Sequence, residues 1–70
     1  MYYYVRMIDC DGDCIKHTEV YGLANAREKV KEFFEFSWRA NQVTHAEIYV
    51  SETNKLVLVE RNPNYDRSEP

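Results

Sequence analysis

Residues 23–37 read LANAREKVKEFFEFS, and this stretch decides the fold. Leu23, Ala26, Val30, Phe33, Phe34 and Ser37 fall within about 60° of one direction when each residue advances about 100°, the stripe of an amphipathic helix. On both sides the apolar period drops to two. Upstream, Tyr3, Val5 and Met7 alternate with Tyr2, Tyr4, Arg6 and Ile8, and alternation resumes from Ile15 to Tyr21. Downstream, Ala46, Ile48 and Val50 alternate with His45, Glu47 and Tyr49, and Leu56 to Val59 follow. The expected order is therefore ββαββ. This is an α+β fold, a single small domain over 1–61, with an antiparallel sheet of about four strands and one helix packed on one face. Residues 62–70, with two prolines and little to bury, read as a flexible C-terminal tail. A lone helix covers one sheet face and leaves the other open.

The turns between these elements are marked as clearly. Asp11-Gly12 signals a hairpin, either a two-residue turn or a three-residue Asp11-Gly12-Asp13 loop, which leaves the register open by one. With the three-residue loop, Cys10 and Cys14 would face each other. Gly22 breaks the second strand, and Asn25 with Glu28 has capping-box spacing, although Leu23 on the stripe favours a start near Ala24. Leu56-Val57-Leu58-Val59 is apolar on both sides, the pattern of a strand buried on two faces.

Composition narrows the function classes. The chain has 70 residues, 14% of them aromatic, and six of these are tyrosine, which tolerates half-wet contact surfaces. A net charge of −3 without a basic patch argues against nonspecific duplex binding. No apolar run approaches the roughly 20 residues that cross a bilayer. The tyrosine-rich start lacks the basic region of a signal peptide. Two cysteines are too few for a secreted disulfide framework, so the expected compartment is a cytoplasm.

Chemistry-bearing motifs are sparse. Asp9-Cys10-Asp11-Gly12-Asp13 imitates the opening of a calcium loop, but Cys14 stands where glycine is needed and Val20 where the bidentate glutamate is needed. Cys10, Cys14, His17 and His45 have no recognised zinc spacing. No nucleophile elbow or phosphate-cradling loop is present. The expectation is a non-enzymatic chain with no cofactor, no metal site and no catalytic residues. Tyr2, Tyr4, Arg6, His45 and Tyr49 are expected to share the open sheet face. Phe36 lies roughly 120° off the helix stripe and Trp38 about 80° to its other side, so both are candidate contacts. Asp9, Asp11 and Asp13 form an acidic tip suited to a basic groove. Aromatics on an open sheet also stack single-stranded bases, but only Arg6, Lys16 and Arg61 offer the positive charge such modules need.

Two resemblances add to this. Tyr2-Tyr3-Tyr4-Val5, an Asp-Gly turn, a strand and an Ala/Glu/Lys helix resemble the N-terminal half of HicB-type antitoxins, without the proline-rich segment that precedes the helix there. The whole chain, in size, acidity and ββαββ order, resembles small acidic accessory proteins of bacteriophages and mobile elements, including anti-CRISPR inhibitors. That resemblance implies a stoichiometric inhibitor of a host protein or ribonucleoprotein complex that handles nucleic acid. The alternatives are a self-associating or antitoxin-like module, joined through the open sheet face or an edge strand, and a single-stranded nucleic-acid binder.

Overall fold

The computed structural model describes residues 1–36, 40–63 and 65. The expected ββαββ order is present: β1 (Tyr2–Asp9), β2 (Cys14–Tyr21), α1 (Leu23–Phe36), a short 3-10 turn (Ala40–Gln42), β3 (Val43–Val50) and β4 (Lys55–Arg61). The strands form one antiparallel sheet in the order β2-β1-β3-β4, so the first strand lies inside and the last at an edge.

Register assigns the faces, because residues opposite each other in an antiparallel pair point the same way. Val5 lies between Thr18 and Ile48, and Met7 between Lys16 and Ala46. Val5, Met7, Val43, Ala46 and Ile48 pack against Ala26, Val30 and Phe34 of α1 as one buried core, with Tyr3, Ile15, Val20, Phe33 and Leu58 at its margin. The helix stripe therefore does what its period predicts. Ser37 and Trp38 lie outside the described residues.

The helix begins differently from the capping-box expectation. Its first bond runs from the Ala26 N–H to the Gly22 carbonyl (3.1 Å), so Gly22, at φ +90°, is the residue that opens it. Asn25 sits inside the first turn and donates its side-chain amide back to the Tyr21 carbonyl (2.7 Å). A left-handed entry residue followed directly by helix leaves no separate capping position for Asn25.

The first hairpin settles one residue earlier than Asp11-Gly12-Asp13. The Asp9 N–H donates to the Asp13 carbonyl (2.9 Å) and the Gly12 N–H to the Asp9 carbonyl (3.0 Å), closing Cys10-Asp11-Gly12 with Gly12 at φ +87°. Asp9 directs this choice, since its Oδ1 accepts from the N–H of both Asp11 and Asp13 at 2.9 Å. Ile8 is then opposite Cys14, and the register shifts between Met7 and Ile8. Cys10 belongs to the loop and does not face Cys14; both are exposed free thiols.

The fourth strand also corrects its sequence reading. It is not buried on two faces but forms the sheet edge, with Leu56, Val57 and Val59 exposed by 45, 44 and 47%. Helix α1 packs over β1, β2 and β3, which leaves an open groove of about 580 Å³ beside β4. Arg27 Nε reaches Glu60 Oε2 (2.8 Å) across that groove. The chain after β4 continues into the domain: Asn62 is 7% exposed and donates its side-chain amide to the Val43 carbonyl (2.8 Å). The expected flexible tail otherwise falls largely outside the described residues.

Candidate interaction surface

The face away from α1 is assembled by register into rows running across the sheet. One row is Glu19, Tyr4, Tyr49 and Leu56; the next is His17, Arg6, Glu47 and Val59; a third is Cys14, Ile8, His45 and Arg61. Tyr2 and Tyr21 form one corner, ring edge to ring face at 5.1 Å. Tyr2, Tyr4, Arg6 and Tyr49 thus come together as the alternation predicted. Lys16 does not join them, because its position opposite Met7 puts it on the helix side.

The rings on this face are held before any partner arrives. Tyr4 stacks on Tyr49 with centroids 5.0 Å apart and 13° between planes, and meets His17 edge-on, also at 5.0 Å. Its hydroxyl donates to Asn54 Oδ1, in the turn between β3 and β4. Asn54 has φ +62°, a left-handed conformation that asparagine tolerates better than most residues.

Glu47 is the polar centre. It accepts from the Tyr49 hydroxyl (2.9 Å), lies 3.8 Å from Arg6 Nη1 and 3.4 Å from His45 Nε2. The hydrogen bond to Glu47, with burial and the nearby negative charge, holds the Tyr49 hydroxyl pKa above its ordinary value. The Arg6 guanidinium is also held above its usual value, first by its interaction with the Cys14 sulfur in its thiolate form and further by Tyr49.

The other sequence candidates lie elsewhere. Phe36, 79% exposed, borders a hollow between α1 and β2 with Lys16, Thr18, Lys29 and Phe33, on the opposite side of the sheet from Tyr4. Asp9, Asp11 and Asp13 sit at the hairpin tip at the far end of β1 from Tyr2; their carboxylates lie within 4.8 Å of one another. The Asp9 carboxylate is committed to the turn backbone. Trp38 is outside the described residues. Among the described residues, Cys10, Cys14, His17 and His45 are not gathered as a metal-binding group.

Sequence reasoning missed His17, Asn54, Leu56 and Val59 as members of the open face. His17 and the β4 residues needed the bulges in both hairpins to be placed, and the Tyr4–Asn54 contact spans 50 positions along the chain. Compared with family models, with curated proteins and with solved structures, the chain matches none.

Proposed function

We propose that this chain is a non-enzymatic protein-binding module whose contact surface is the open sheet face centred on Tyr4, Tyr49, Arg6 and Glu47. The observation that supports this most is the restraint of Tyr4, held by Tyr49, His17 and Asn54. Tyrosine offers large contact area with few rotatable bonds, and ordering it beforehand lowers the entropy lost on binding. Tyrosine and arginine are also the residues that most often dominate protein interfaces.

The same geometry weighs against base stacking. Tyr4 and Tyr49 turn ring faces toward each other, and the Arg6 guanidinium at the centre of the sheet is paired with the Glu47 carboxylate. A single-strand binder needs free ring faces beside uncommitted cations.

Within this reading, the partner class is a host protein or ribonucleoprotein complex, blocked by occlusion in the manner of a phage-encoded, anti-CRISPR-like inhibitor acting in the bacterial cytoplasm. That assignment rests on size, acidity and ββαββ order. The test is affinity capture from bacterial lysate with the wild-type chain, Tyr4→Ala, Tyr49→Ala and Phe36→Ser as bait. One large complex retained by wild type and Phe36→Ser, and lost with both tyrosine variants, is the expected result. Recovery of the bait alone, or capture indifferent to Tyr4 and Tyr49, overturns it.

A further inference from the structure

We propose that the free edge of β4 pairs with β4 of a second copy, antiparallel about a two-fold axis at Val59, to give a continuous eight-stranded sheet. The two edges of the sheet are unlike. β2 spreads Lys16, His17 and Glu19 along its length and lies under α1, whereas β4 has a continuous apolar run, Leu56 to Val59, between Lys55 and Glu60-Arg61, and among the described residues no strand pairs with its outer side. An apolar, uncovered edge is a template for another strand.

The direction of the backbone groups follows from two bonds. The Asn62 N–H donates to the Thr44 carbonyl (3.0 Å) and the Asn54 N–H to the Val50 carbonyl (2.7 Å). Stepping by two from Asn62 makes Ala46–Glu60 and Ile48–Leu58 the hydrogen-bonded pairs, so the N–H and C=O of Val59 and Arg61 turn outward. The shift between Ile48 and Tyr49 leaves Val57 as the extra residue of β4, where the ladder is disrupted. The regular edge is therefore 58–61, bounded by that bulge and by Pro63.

Charge and the bulge together select the register and the occupant. An axis at Leu58 pairs Val59 with Val57 of the second copy, so its outward hydrogen-bonded pairs involve the bulge. An axis at Glu60 sets that carboxylate against itself, and one at Arg61 opposes two guanidinium groups. An axis at Val57 runs the ladder through the bulge. Centring on Val59 opposes no like charges: Val59 meets Val59, Val57 meets Arg61 and Leu58 meets Glu60, and the Val59 pair exchanges both of its backbone hydrogen bonds clear of the bulge. The strand is complementary to itself in one register, as a two-fold interface requires. The contact falls below the roughly 1,200 Å² of a standard interface, so the dimer is weak and forms at high protein concentration.

Sedimentation equilibrium over a wide concentration range, with a disulfide-trapping pair, tests this. The trap uses a Cys10→Ser/Cys14→Ser background with oxidised glutathione as oxidant. Two introduced thiols and one oxidised glutathione give the cross-link and two reduced glutathiones. Val59→Cys is expected to cross-link at least tenfold faster than Val57→Cys, because only position 59 meets itself. Val59→Lys is expected to abolish dimer while leaving circular dichroism unchanged. Tyr4→Ala should leave the dimer intact, which separates it from the face-binding reading. A monomer at every concentration, or equal trapping at positions 57 and 59, overturns the proposal.

Discussion

Tyr4 and Tyr49, on the two central strands, stack with ring centroids 5.0 Å apart and planes 13° from parallel. The pair ties the two central strands on the face away from α1, so part of the sheet's cohesion comes from outside the core. A double-mutant cycle on Tyr4→Ala and Tyr49→Ala is expected to give a coupling of about 0.5–1.5 kcal/mol in urea unfolding. Additive losses would show that the rings are neighbours without interaction.

Tyr49 should also titrate late. Its folded pKa lies above the ordinary 10.0. The folded state therefore holds this proton more tightly than the unfolded chain does. The resulting stability is complete below the unfolded pKa and is lost as pH rises through the folded one. Phenolate absorbance, with Tyr49→Phe as the subtraction, should show a midpoint that falls in Glu47→Gln. A midpoint indifferent to that change would remove Glu47 as the cause.

The hairpin tip separates two kinds of cost. A Cβ at Gly12 would meet no atom within 4 Å, so Gly12→Ala should lose about 1–2 kcal/mol from backbone conformation alone. Gly12→Asn should lose less, since asparagine enters the left-handed region more readily. Asp9→Ala instead removes the acceptor shared by the Asp11 and Asp13 N–H groups, an exposed arrangement worth about 1 kcal/mol. Chemical denaturation of the three variants tests this ranking.

Asn62 anchors the chain after its last strand. Asn62→Ala should cost about 1–3 kcal/mol, because the Val43 carbonyl loses a buried donor. Hydrogen exchange should quicken at the start of β3 before it does in β1. Uniform exchange would make the contact incidental.

Strand positions, helix stripe and open face were legible because each depends on local alternation. Val5, Met7, Ala46 and Ile48 are all buried where period two puts them. What local pattern could not carry was strand order and the bulges. Leu56 to Val59 has the same apolarity at a sheet centre or a sheet edge, and only topology decides between them. The hairpin register turned on the Asp9 carboxylate choosing between two turns of similar composition. On the candidate surface, Tyr2, Tyr4, Arg6 and Tyr49 were found by alternation. Phe36 and the acidic tip were equally exposed in sequence terms but were placed on other surfaces by the way the strands connect.

The position of β1 has a consequence for synthesis. β1, made before its partners, is bonded on both sides: to β2, which follows within a few residues, and to β3, which begins at Val43. The Met1 carbonyl accepts from the Gly22 N–H and the Tyr2 carbonyl from the Ser51 N–H, so the backbone at the entry to β1 is joined both to the end of β2 and to the end of β3. A nascent chain ending at the helix holds a hairpin whose inner edge is bare, beside apolar Val5 and Met7. It must wait there until the second half emerges. Translation speed across residues 37–50 then sets how long that edge stays open to other nascent chains.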